Sequence, residues 1–245
     1  MIVSVPSLSD SSPHVVAENL GLERNGRWLF RGLNFQVPRG KFVAVVGPSG
    51  VGKSSLLACL SGLVTPQEGQ VWYACTATDA GRRQPPSGVQ KHIGIVFQNF
   101  MLVPNSPVLA NVLLGRLGRY PWWRTLCGFS CADRLEAFHL IEDVGLAAYT
   151  HRSVGQTSGG EQQRTALARA LFQEPEIYLA DEPVSNLDAY LTGRVLGRLR
   201  QEAALHQRTV FCVLHNAELV ERFADWVLSL DPQAPDGWKL REVRA

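Results

Sequence analysis

Residues 47–54 read Gly47-Pro48-Ser49-Gly50-Val51-Gly52-Lys53-Ser54 and are followed by Ser55. Glycines at this spacing let a backbone wrap a polyphosphate with successive N–H groups pointing inward. A lysine at the end of the loop meets terminal phosphates as a compact charge, and the next hydroxyl can ligate Mg²⁺. Two acids, Asp181 and Glu182, close the apolar run Ile177-Tyr178-Leu179-Ala180. Adjacent side chains leave a strand in different directions, so Asp181 suits a Mg²⁺ shell and Glu182 an attacking water. Two further runs end in single polar groups. Ile93-Gly94-Ile95-Val96-Phe97 stops at Gln98, and Val210-Phe211-Cys212-Val213-Leu214 stops at His215.

These groups can act together only if buried strands bring them to one edge. In open α/β sheets ligands bind beyond the carboxyl ends of the strands, which is where this pattern places Lys53, Gln98, Asp181, Glu182 and His215. Leu33, Phe35 and Val37 alternate, and Pro38-Arg39-Gly40 interrupts before Phe42-Val43-Ala44-Val45-Val46. That pattern predicts a hairpin entering a fully buried strand, followed after the glycine loop by a helix from Ser54 to Gly62.

A second glycine-rich segment, Thr157-Ser158-Gly159-Gly160-Glu161, precedes a stretch in which Ala166, Leu167, Ala170 and Leu171 recur at helical spacing. Ser158 and Glu161 make a capping box. The two glycines carry a helix penalty and make sense if this helix start comes very close to something anionic, using its exposed N–H groups and dipole.

The ordered set of phosphate loop, Gln98, SGGEQQR, LADEPVSNLD and His215 resembles the nucleotide-binding subunit of an ATP-binding cassette (ABC) transporter, from about Val15 to about Leu230. The resemblance implies a single ABC ATPase domain over 1–245. Its fold class is α/β, with a P-loop NTPase (RecA-like), mostly parallel sheet core, an N-terminal antiparallel β subdomain and an inserted α-helical subdomain at about 100–165. Further implied roles place Lys53 on the β and γ phosphates of ATP, Mg²⁺ on Ser54, Gln98 and, through water, Asp181, Glu182 as general base or water-polarising residue, and His215 at the γ-phosphate. Ser158, Gly159, Gly160 and Glu161 would reach the ATP of a second copy in a head-to-tail dimer, with Asp188 linking the two sites. The chemistry is phosphoryl transfer to water. Adenine recognition departs from the family pattern, leaving Arg24 or Trp28 as the stacking residue. Thr157, Glu161 and Asn186 also depart from it without removing a catalytic group.

Composition bounds these expectations. The chain has 245 residues, 45% apolar and 19% charged, and its 24 basic against 22 acidic residues disfavour a nucleic-acid binder relying on bulk charge. Its longest apolar runs fall far short of the roughly 20 residues that span a bilayer. With no secretory signal pattern, the expected compartment is the cytosol, at the inner face of the cell membrane if the resemblance holds. Cys59, Cys75, Cys127, Cys131 and Cys212 read as free thiols.

Between Gln98 and Ser158, the segment 114–130 carries Arg116, Arg119 and Arg124 interleaved with Tyr120, Trp122 and Trp123 and has no acid. It reads as a basic aromatic patch for a partner or as an ordinary amphipathic surface. The string FQNFMLVP…VLANVLLGRLGRYPWWRTLCGFS is similar to the insertion of phosphonate-importer ATPases. That resemblance implies membrane permease subunits as partners and, indirectly, a periplasmic or lipid-anchored phosphonate-binding protein. Other small-anion, amino-acid or lipoprotein-export systems remain alternatives, as does a soluble non-transport ABC ATPase.

Overall fold

The computed structural model describes residues 13–74, 89–96, 100–120, 128–185, 187–231, 233–234 and 236–243. Strands β1 (Pro13–Arg24) and β2 (Arg27–Pro38) are joined at Asn25 and Gly26, both with positive φ, as a two-residue hairpin turn requires. β4 (Glu68–Tyr73) pairs with the other side of β1, giving an antiparallel sheet ordered β2-β1-β4.

The second sheet has six strands ordered β5-β6-β7-β3-β8-β9. These are β3 (Phe42–Val46), β5 (Ile93–Val96), β6 (Ile177–Ala180), β7 (Thr209–Val213), β8 (Trp226–Ser229) and β9 (Lys239–Glu242). All neighbours are parallel except β8 and β9. The four apolar runs are therefore consecutive neighbours in one sheet. Phe42 and Ala44 face one core with Tyr178, Ala180, Val210 and Cys212, while Val43 and Val45 face another with Ile177, Leu179, Phe211 and Val213. Burial on both faces is why these strands are continuously apolar.

The first core is closed by α2 (Val108–Leu113), α3 (Cys131–Asp143), α4 (Gly159–Gln173), α5 (Ala189–His206) and α6 (Ala217–Phe223). The second is closed by the antiparallel sheet and α1 (Lys53–Leu60). The expected hairpin before β3 does not form. β2 pairs only with β1, and the turn after Pro38 carries the chain from one sheet to the other. Alternation in β2 reports its half-buried sheet but does not name its partner.

His14 joins the two sheets. Its Nδ1 lies 2.7 Å from the Thr209 hydroxyl, and its Nε2 faces Glu176, which also holds Arg39 and His92. Burial, with Arg39 adding and Glu176 opposing, lowers its pKa to about 3. The folded pKa lies below the unfolded value of about 6.5, so the unfolded state binds the extra proton between those values. Stability from neutral His14 is therefore complete above pH 6.5 and is lost as pH falls toward 3, by about 1.4 kcal/mol per unit. Urea unfolding at pH 7.5 and pH 5 is expected to give a smaller pH-dependent loss in His14→Asn than in the parent. Equal losses would contradict this assignment.

Candidate functional site

The sheet registers align Val96 with Ala180, Ala180 with Cys212 and Cys212 with Ala44. The carboxyl ends of β5, β6, β7 and β3 therefore lie at one edge. Asp181 N–H donates to Val96 O at 2.9 Å, and Leu214 N–H reaches Val45 O, continuing the alignment one step beyond the strands.

The glycine loop is shaped by positions that other residues resist. Gly47 has φ 151° and Gly52 φ 111°, and a Cβ would lie 2.9 Å from Leu230 O at Gly47 and 3.0 Å from Leu29 Cβ at Gly52. Gly52 starts α1 with no side-chain cap, leaving the first-turn N–H groups open to an anion. Lys53 is buried and its Nζ donates to Gly47 O and Pro48 O, both at 2.9 Å. Beside the loop, Leu22, Glu23, Arg24, Ser54, Ser55, Ala58, Val64 and Gln67 line a cavity of about 350 Å³. Arg24 is in this lining and Trp28 is not. Arg31 covers the Trp28 ring at 4.5 Å.

Asp181 is buried beside Ser54. Burial pushes its carboxyl above the ordinary aspartate value, opposed by the Ser54 hydrogen bond, reinforced by Glu182 and opposed again by Lys53 and His215. Lys53, Ser54, Asp181, Glu182 and His215, which follow three different strands, thus share one electrostatic neighbourhood. Glu182 Oε1 lies 2.6 Å from His215 Nε2, and both are partly exposed. Glu182 also has φ 51°, a left-handed conformation that costs a non-glycine residue about 1–2 kcal/mol. Its carbonyl accepts from Gln163 Nε2 at 2.6 Å, Ser185 Oγ at 3.2 Å and Ser185 N at 3.3 Å.

Ser158 caps α4 in the reciprocal arrangement read from the sequence. Its hydroxyl accepts from Glu161 N, while Glu161 Oε2 accepts from Ser158 N at 2.7 Å. Gly159 has open space around it, and among the described residues no hydrogen bond joins this tip to the phosphate loop. Asp188 caps α5 by accepting from Leu191 N. One chain therefore presents the loop, acids and His215 as a group, with the Ser158 tip as a separate feature. Gln98 and Asn186 lie outside the described residues, as do Trp122, Trp123 and Arg124.

The basic segment is less open than its composition suggests. Arg116 is buried, pairs with Asp133, Glu136 and Glu174, and stacks on Phe172 at 4.1 Å, while Arg119 pairs with Glu174. Their acids come from α3 and from the residue after α4, outside the acid-free window. Sequence reasoning also missed Gln163. The available signal was a polar side chain on the apolar stripe with Ala166, Leu167 and Ala170. Cys59, Cys131 and Cys212 are free thiols, and Cys75 and Cys127 lie outside the described residues. No helix among the described residues is long and apolar enough to cross a membrane.

Residues 30–185 match the family model described as ABC transporter. The chain is 39% identical over 228 residues to the phosphonates import ATP-binding protein of Bdellovibrio bacteriovorus, covering 90% of this chain and 85% of that one. It is 37% identical to the hypophosphite import ATP-binding protein of Stutzerimonas stutzeri, over 87% of this chain and 63% of the relative. Its structure is similar, with TM-score 0.79 and 27% identity, to a dimeric ATP-binding cassette in a post-hydrolysis state bound to ADP and Pi, covering 94% of this chain and 99% of that one.

Proposed function

The chain belongs to the ABC transporter family, and we propose that it is the ATP-hydrolysing, energy-coupling subunit of an importer for phosphonates or phosphate esters. The observation that carries the reading is the convergence of Lys53, Ser54, Asp181, Glu182 and His215 at one sheet edge. The phosphonate import name of the Bdellovibrio relative supports the cargo.

In this mechanism the 47–55 loop holds the ATP phosphates through backbone N–H groups. Lys53 leaves its two loop carbonyls for the β and γ phosphates, and Arg24 lines the place for adenine. Ser54 directly and Asp181 through water would supply the hard oxygen donors that Mg²⁺ prefers, with Gln98 as a further proposed ligand. Mg²⁺ would neutralise charge on the phosphates. Glu182 polarises the attacking water, while His215 orients that carboxylate and contacts the γ-phosphate. Ser158, Gly159, Gly160 and Glu161 complete the site of a second copy, and Asp188 lies between the two sites. The dimeric cassette of similar structure supports this arrangement.

The partners are membrane permease subunits at the cytoplasmic face of the membrane, with a phosphonate-binding protein acting upstream of them. Cargo does not touch this chain. The deciding experiment is affinity purification from detergent-solubilised native membranes, combined with growth of a strain lacking the chain on a phosphonate, a phosphate ester or hypophosphite as sole phosphorus source. Recovery with a permease and loss of growth on the organic compounds are expected. Loss of growth on hypophosphite alone would move the cargo to the class named for the Stutzerimonas relative, and recovery with ribosomes or DNA would reject transport.

A further inference from the structure

Beyond the ends of β5 and β6, three non-glycine residues among the described ones hold positive φ: Phe100 at 41°, Met101 at 46° and Glu182 at 51°. Each is a disfavoured conformation that persists only when its surroundings over-determine it. In all three the surrounding contact is a side-chain donor from α4 on the backbone carbonyl. Gln163 Nε2 donates to Glu182 O at 2.6 Å. Arg169 Nη1 donates to Met101 O at 2.6 Å and its Nη2 to Phe100 O at 2.7 Å.

The Arg169 contact is unusual for a guanidinium. The group is partly buried, its pKa is lowered by that burial, and it has no ion pair with a carboxylate among the described residues. A planar fork donating to two successive carbonyls fits this geometry, whereas a lysine ammonium lacks the fork. Gln163 is buried, and its amide donates to the Glu182 carbonyl and lies 3.5 Å from the Ser185 hydroxyl. At the far end of α4, Gln173 Nε2 donates to Ile93 O at 3.1 Å, at the start of β5. The helix thus runs back along β5 and grips its start, the backbone at Phe100 and Met101, and Glu182 two residues past the end of β6.

We infer that α4 is a clamp that ties the orientation of the Glu182 carboxylate to the backbone at Phe100 and Met101, with Gln163 and Arg169 as its positioning residues. Gln163 and Arg169 are separated by six positions, about 9 Å of rigid helix. A shift of the 100–101 backbone is carried through Arg169 to α4 and through Gln163 to the Glu182 carbonyl, which turns the carboxylate relative to its His215 contact. Met101 is 64% exposed and Val103 43% exposed, so the gripped segment is also accessible to a partner from outside. The inference rests on the reading of Glu182 as the residue that polarises water.

The test is a double-substitution cycle in the full-length protein, measuring kcat and KM for ATP with the unfolding midpoint as a control. Gln163→Leu keeps the volume and removes the donor, and Arg169→Lys keeps the charge and removes the fork. Each is expected to lower kcat about tenfold with KM within about twofold, because misplacing a reacting group affects the chemical step more than binding. The double variant is expected to fall no further than the poorer single one, since either break releases the same clamp. Hydrogen exchange of the amides at 101–103 is expected to rise in Arg169→Lys. Parent-level kcat in either single variant, losses that multiply in the double variant, or KM rising in step with kcat would each overturn the clamp. Parent-level hydrolysis by Glu182→Gln would instead overturn the reading of the site on which it rests.

Discussion

Glu182→Gln is expected to lower ATP hydrolysis by at least about 10²-fold while leaving nucleotide binding intact. The Glu182 carboxylate lies within hydrogen-bond distance of His215 Nε2, and its backbone is fixed by three donors on one carbonyl. An amide preserves size, the left-handed backbone and a polar contact to His215, but it cannot accept a proton from water. The ATP-bound state then has no fast exit. Size-exclusion chromatography with MgATP is expected to show a dimer that persists over minutes in this variant and not in the parent. Hydrolysis within tenfold of the parent, with no trapped dimer, would remove Glu182 from the chemical step.

Ser158→Arg is expected to reduce hydrolysis by about 10²-fold or more with little change in the affinity of the isolated chain for nucleotide. The two quantities separate because Ser158 has no hydrogen bond to the phosphate loop of its own chain and caps α4 beside the unencumbered Gly159. In the proposed head-to-tail dimer, a bulky side chain at that tip would obstruct close approach to a second copy's ATP. Loss of the cap itself costs about 1 kcal/mol, which an unfolding curve measures independently. Binding by fluorescent nucleotide titration and turnover at matched protein concentration give the comparison. A parallel loss of affinity and turnover would place Ser158 in its own chain's site, and full turnover would reject the shared-site dimer.

The parts of the site that could be read from the chain are those governed by local rules. Gly47 to Ser54 fold as a loop because their neighbours in sequence are also their neighbours in space. Ser158 and Glu161 cap one another across three residues, and the Asp181-Glu182 pair follows directly from a strand buried on both faces. The four apolar runs named the strands, and the polar groups after β6 and β7 named the edge. The pairing of β2 was misread because alternation specifies which face is buried, whereas sheet membership depends on contacts with β1 and β4. Arg116 and Arg119 looked unpaired because a short window excludes the acids of α3 and the residue after α4.

By itself the sequence determined the phosphate loop, the acids, the capped helix start and the order in which they occur, since each is a short-range consequence of residue type and spacing. Only the tertiary structure decided that β5, β6, β7 and β3 are neighbours in one register, that Arg24 rather than Trp28 lines the cavity beside the loop, and that α4 grips two strand-end loops. The reason is physical. Hydrophobic burial selects which surfaces are covered without direction, while a buried Gln163 or Arg169 must find a carbonyl at a fixed distance and angle, and that carbonyl exists only once distant strands have been packed side by side.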